Sequence, residues 1–131
     1  MIRDSILDLL KRKSLPGLTI SMETPYDESG IPLYVKNPKK VYVSVDQTET
    51  APLIRTLNSA NISTTNTSAT VFFSVDAKSV PSTLDTTTST IKGILYDIDH
   101  AGSNSRSVNT NISTEGDLLV VAVEFTLTRL T

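Results

Sequence analysis

The stretch Asp117-Leu-Leu-Val-Val-Ala-Val-Glu-Phe-Thr-Leu-Thr-Arg-Leu-Thr131 carries the strongest strand signal in the chain. Residues 118–123 are continuously apolar, the mark of a strand covered on both faces. From Val121 the pattern turns to alternation, with Val121, Val123, Phe125 and Leu127 opposing Ala122, Glu124, Thr126 and Thr128. One face of this strand is therefore expected to stay dry while the other becomes wet partway along. A small domain that closes on such a strand and shows no catalytic motif reads as a structural building block rather than an enzyme.

Working outward, Lys40-Val-Tyr-Val-Ser-Val45 alternates so as to turn Val41, Val43 and Val45 inward. Ala69-Thr-Val-Phe-Phe-Ser-Val-Asp-Ala77 does the same with Val71, Phe73 and Val75. Residues 46–68 between them are rich in Thr, Asn and Ser yet contain Leu53, Ile54, Leu57 and Ile62, over a length beyond an ordinary hairpin loop. We read this segment as an extended β-arm or ordered excursion whose apolar residues want a partner. Leu53, Ile54, Arg55, Leu57 and Ile62 are its candidate interface residues.

Ile2, Ile6, Leu9 and Leu10 fall at helical spacing, and Lys11-Arg12-Lys13 suits the negative end of a helix dipole. Pro16-Gly17 stops this helix, and Pro25, Gly30, Pro32 and Pro38 leave residues 14–38 mostly loop. Ser82-Thr-Leu-Asp85 matches a capping box after Pro81, and Leu84, Ile91, Leu95 and Ile98 predict a second helix over residues 82–97, with Gly102 as a stop. Its Thr86-Thr87-Thr88 run has poor helix propensity, so packing on the sheet must hold it. Residues 103–116 read as a polar, Asn-rich loop. The order helix, strand, long excursion, strand, helix, strand predicts an α+β fold, a mostly antiparallel sheet with two helices packed on one face and a long β-arm between the first two main strands.

The 131 residues suit one domain spanning residues 1–131. Ser and Thr supply roughly a quarter of the residues, so the polar surface is neutral rather than charged. A net charge of −2 and an isoelectric point near 5.3 argue against tight, sequence-independent nucleic-acid binding. The absence of Cys rules out disulfides and thiolate zinc sites. Asp4 and Asp8 interrupt what would be a signal-peptide apolar region, and no stretch reaches membrane-spanning length, so a soluble protein without a membrane partner is expected. The glycosylation sequons at Asn61, Asn66 and Asn111 are discounted on the same ground.

Asp97, Asp99 and His100 are the one cluster resembling a metal site, although a His at a helix C-terminus beside solvated carboxylates is the simpler account. The single His excludes two-histidine hydrolytic motifs. There is no Gly-x-Ser-x-Gly elbow, P-loop or dinucleotide fingerprint. Glu23, Asp27 and Glu28 lie in a Pro-rich connector that offers no burial to shift their pKa values. Lys36, Lys39 and Lys40 suit protection of a strand edge as well as any ligand. No catalytic residue, metal or cofactor is expected.

With its elements in this order the chain resembles the tail terminator (tail completion) proteins of long-tailed bacteriophages, the family of the phage lambda minor tail protein U. The resemblance rests on the N-terminal helix, the strand opening Pro38-Lys-Lys-Val-Tyr-Val43, the polar excursion, the strand Thr70-Val-Phe-Phe-Ser-Val-Asp-Ala77, the amphipathic helix and the closing strand Leu119-Val-Val-Ala-Val-Glu-Phe-Thr-Leu-Thr128. It implies a homo-oligomeric, usually hexameric, ring that caps the tail tube at the head-tail junction of the virion, stops tube polymerisation and offers a surface to the head connector or stopper protein. DNA would pass through without specific binding. Under this reading Leu53, Ile54, Arg55, Leu57 and Ile62 meet a neighbouring subunit or the tail tube protein. Another neck component, either a head-completion or connector-stopper protein, is the nearest alternative. A monomeric glycan- or protein-binding module and, third, a small metal-dependent enzyme are alternatives of other classes.

Overall fold

The computed structural model describes residues 2–13, 15, 17–55, 61–79, 84–97 and 105–130; of residues 51–55, 61–64, 79, 95–97, 105–106 and 129–130 the backbone alone is described. The elements run α1 (Ile2–Arg12), β1 (Thr19–Ile20), α2 (Leu33–Lys36), β2 (Lys40–Val43), β3 (Gln47–Arg55), β4 (Asn61–Asp76), a 3-10 turn (Ala77–Ser79), α3 (Leu84–Asp97), β5 (Ser105–Glu115) and β6 (Leu118–Leu130). The fold is α+β, built on a six-stranded, mostly antiparallel sheet ordered β1-β2-β4-β6-β5, with β3 also paired to β4. The parallel β1–β2 pair is the exception.

β4 and β6 form the spine. They pair without interruption from Thr64↔Leu130 to Asp76↔Leu118, so the side-chain alternation of each strand is carried across the sheet in register. Ala69, Val71, Phe73 and Val75 of β4 and Val121, Val123, Phe125 and Leu127 of β6 are buried on one face. They join Ile2, Ile6, Leu7 and Leu10 of α1 and Ile91 and Ile94 of α3 in a single core. The closing strand thus has the dry face expected of it, and both longer helices lie on that face. The buried stripe of α1 includes Leu7 and leaves Leu9 only half-buried, a small rotation from the expected stripe. On α3 the inward face is Thr87, Ile91 and Ile94, with Leu84 partly buried; Ile98, Gly102 and the capping residues 82–83 lie outside the described residues.

β2 and β3 lie end to end along the same side of β4 and are offset by a bulge. Between Val43↔Val71 and Gln47↔Ser68, β2–β3 advances four residues while β4 advances three. The extra residue reverses the alternation, so Val45, expected inward, is 55% exposed. Ser44 closes the gap, donating its N–H to the Thr70 carbonyl at 2.8 Å and accepting the Thr70 N–H on its Oγ at 2.7 Å. Beyond the bulge, residues 47–55 and 61–68 form the hairpin arm. A second irregularity falls at Leu53, between Pro52↔Ser63 and Ile54↔Ile62.

Residues 103–116, expected as loop, contain instead the eleven-residue strand β5, paired with β6 from Ser105↔Thr128 to Glu115↔Leu118. Val108 and Ile112 are too sparse to give a hydrophobic alternation, and Thr110 and Thr114 fill the intervening positions of the same face. The β5–β6 turn is Gly116-Asp117, with Gly116 at φ 58°, a value suited to the first central position of a type II′ hairpin. The described residues of the 14–38 stretch are mostly loop, as expected, apart from β1 and the single turn α2.

Candidate functional site

The sheet face opposite α1 and α3 carries a shaped surface, and its two ends differ. At one end α2 lays Tyr34 on Tyr42 and Val120, with Leu33, Val35 and Phe72 partly buried around them. Tyr34 stacks on Phe72 at a centroid distance of 4.6 Å and an angle of 10°. Tyr26 meets both rings edge-on, at 5.9 Å from Tyr34 and 6.3 Å from Phe72. The Ser74 hydroxyl, fully buried, donates to the Tyr34 carbonyl and ties α2 to β4. Asn37 Nδ2 donates to Tyr42 Oη at 3.2 Å. Burial, then the contact with the Tyr26 hydroxyl, pushes the Tyr34 hydroxyl well above its ordinary value of 10.0, and charge on Tyr26 and Glu115 adds to the shift. Tyr34 is a neutral, structural phenol.

At the other end the face is wet. Two adjoining hollows of about 280 and 300 Å³ share Gln47, Ser68 and Glu124. The first adds Glu49, Asn66 and Thr126; the second runs toward Tyr26 and Phe72. Asn66 Oδ1 accepts from Thr128 Oγ1 at 2.8 Å, which fixes that amide in the floor. The first hollow is lined by amides, hydroxyls and two carboxylates, whereas the second adds Val45, Ala69 and Phe72. Such a surface hydrogen-bonds polar neutral groups and disfavours phosphate.

Where the bulge, α1 and the 21–32 loop meet, Arg3 links three segments. Its Nε donates to the Val43 carbonyl at 3.0 Å, and its Nη2 to those of Met22 and Glu23 at 2.8 and 3.3 Å. Its backbone N–H donates to Asp46 Oδ1 at 2.6 Å, so a residue in the bulge caps the first turn of α1. The bulge aims this carboxylate. Nothing in the spacing of Arg3 or Asp46 marks this pairing, because it depends on the extra residue between β2 and β3.

The expected interface residues are only partly brought together. Ile54 and Ile62 are direct cross-strand partners near the end of the arm, Arg55 stands opposite Asn61, and Leu53 occupies the irregularity beside them. Leu57 lies outside the described residues, as do Asp99 and His100. Among the described residues no three His, Cys, Asp or Glu side chains are grouped to hold a metal. Asp27 organises its own loop, its Oδ1 accepting from the N–H groups of Ser29 and Ile31 at 2.9 and 2.8 Å. Lys39 forms the turn into β2 at φ 69°, with its N–H donating to the Ser74 carbonyl at 2.9 Å, and both Lys39 and Lys40 are exposed. Among the described residues no helix is long and apolar enough to cross a membrane.

A scan against protein-family models and a search of curated proteins both returned no match to this chain.

Proposed function

We propose that this chain is a structural, non-enzymatic phage virion protein of the tail-terminator type. It assembles as a homo-oligomeric ring, a hexamer by the family resemblance, at the head-proximal end of the tail tube, ends tube polymerisation and presents the head-attachment surface. The observation that carries this reading is the β3–β4 hairpin arm, which sets Leu53, Ile54, Arg55 and Ile62 near its end. Apolar residues toward the end of a hairpin arm are suited to a neighbouring subunit or to the tube. The phosphate-averse lining of the wet sheet face is a second support, since a ring around passing DNA should not retain it.

The test is the double substitution Leu53→Asp with Ile54→Asp. Carboxylates buried without partners at each copy of an interface are strongly unfavourable. The variant should keep the wild-type circular dichroism spectrum yet fail to form rings in negative stain and fail to set tail length in a complementation assay. Normal rings and tail lengths would remove the arm from the mechanism. A wild-type protein that binds no tail tube would sink the terminator reading.

The wet hollows beside Tyr26 and Phe72 favour one second reading, a binding module for a neutral polar ligand such as a glycan. A stable monomer that shows saturable chemical-shift changes at Gln47, Ser68 and Glu124 with oligosaccharides would support it.

A further inference from the structure

β5 ends the sheet, and among the described residues no strand pairs with its outer edge. The other edges are blunted: β1 has two residues, and β3 carries Glu49, Pro52 and Arg55. β5 has neither charge nor Pro from Ser107 to Thr114. A long, neutral, unprotected edge is a template for another strand.

Its sequence says which strand. Ser107-Val-Asn-Thr-Asn-Ile-Ser113 reads almost identically in both directions about Thr110, with Val108 and Ile112 as the one conservative difference. The outward-facing backbone groups follow from the turn. A two-residue loop is flanked by a hydrogen-bonded pair, here Glu115 and Leu118. By alternation Val108, Thr110, Ile112 and Thr114 direct their N–H and C=O groups away from β6.

We propose that two copies of this chain join through β5 in an antiparallel, two-fold contact centred on Thr110. Thr110 then pairs with Thr110, Val108 with Ile112, Asn109 with Asn111 and Ser107 with Ser113. An axis perpendicular to the sheet keeps the helix-covered faces of both copies on one side, so like faces meet. Ile112, 54% exposed in the single chain, gains Val108 of the second copy as cross-strand neighbour. The Thr110 hydroxyl oxygen, buried and without a hydrogen-bond partner, gains the second Thr110 hydroxyl. In this register Arg106 of one copy stands opposite Thr114 of the other and Glu115 opposite Ser105, so no like charges are opposed. Pairing from position 106 to 114 makes up to about ten backbone hydrogen bonds, the number a typical protein interface carries.

This contact goes beyond the ring reading. A two-fold contact pairs two copies and stops, whereas a cyclic ring is closed by a head-to-tail contact between different surfaces.

The chain has no Cys, so single substitutions report cleanly. Thr110→Cys on the axis should give a disulfide-linked dimer on mild oxidation, and Val45→Cys, more exposed but distant from the axis, should not. Asn109→Lys with Asn111→Lys sets Lys opposite Lys; it should fold and sediment as a monomer where the wild type sediments as a dimer. Mixing that variant with Asn109→Glu, Asn111→Glu protein should restore a dimer containing one of each. A wild type that stays monomeric in the micromolar range, or a Lys variant that stays dimeric, overturns the proposal. A ring whose Thr110→Cys form does not cross-link overturns it while leaving the terminator reading intact; a cross-linked dimer that never forms rings does the reverse.

Discussion

Arg3 concentrates more of the tertiary structure in one side chain than any other charged residue described, since its guanidinium serves carbonyls from the end of β2 and from the 21–32 loop. Hydrogen bonds to charged groups contribute about 1.5–3 kcal/mol where partly buried, but Nη2 sits at the surface and is screened. We expect Arg3→Ala to lower unfolding free energy by about 1–3 kcal/mol, with Arg3→Lys recovering little because an ammonium cannot fork between separate acceptors. Urea melts of the two variants decide it; full recovery by Lys would show that charge alone matters. Phe73 and Phe125 are fully buried in the core, and truncating either to Ala should cost about 3–5 kcal/mol. A loss below about 1 kcal/mol in the same melts would mean that the site collapses around the missing ring. These phenylalanines were legible in the sequence because alternation fixes the face of a strand residue. Val45 obeyed the same alternation and came out exposed, because a bulge changes phase without any mark in composition. Arg3 and Asp46 were illegible for that reason: their pairing exists only after the phase has changed.

At the scale of elements, what could be read was what is apolar and periodic. β2, β4, β6 and α1 bury regular stripes, and all were recognisable. β5 was not, because an edge strand needs only one half-covered face and fills it with Val108, Thr110 and Ile112 among Asn and Ser. α2 was missed for a different reason: a single turn has too few residues for any period, and it is held by Tyr34 packing on Phe72 and Tyr42 rather than by propensity. The arm was legible as an ordered excursion between two strands, though the pairing of Ile54 with Ile62 required knowing the irregularity at Leu53. The α2 anchor has a pH signature. Because folding raises the Tyr34 pKa above 10.0, the folded state holds that proton more tightly than the unfolded chain. The resulting stabilisation is fully present below pH 10 and is lost as pH rises from there toward the higher folded value. Wild-type unfolding free energy should therefore fall more steeply above pH 10 than that of Tyr34→Phe, which has no phenol at this position to ionise. Parallel slopes for the two proteins in alkaline urea titrations would show that Tyr34 ionises as freely in the folded protein as in the unfolded chain.

For the molecule as a whole, the decisive fact is that both longer helices cover one face of the sheet, while the other is dry only beneath α2. The core is therefore one layer deep and shared, with Ile2, Ile6, Leu7 and Leu10 of α1 packed into the same cluster as Val71, Phe73, Val121 and Phe125. Such a core cannot lose α1 and keep the sheet, since strand faces that are now fully buried would open to water. Each large-to-small truncation of Ile6 or Leu10 should cost about 2–5 kcal/mol, and domain stabilities are typically about 5–15 kcal/mol. We expect Ile6→Ala with Leu10→Ala to remove most of the stability, and the wild type to unfold in one transition in which far-ultraviolet dichroism and tyrosine fluorescence coincide. With Tyr96 of α3 replaced by Phe in both proteins, the remaining tyrosines, Tyr26, Tyr34 and Tyr42, report α2 and the sheet face beneath it, so coincidence tests whether the two faces stand or fall together. If the fluorescence transition keeps its wild-type midpoint in the double mutant while the dichroism transition shifts down, the sheet with α2 is stable without α1, and the shared core is not what holds the molecule.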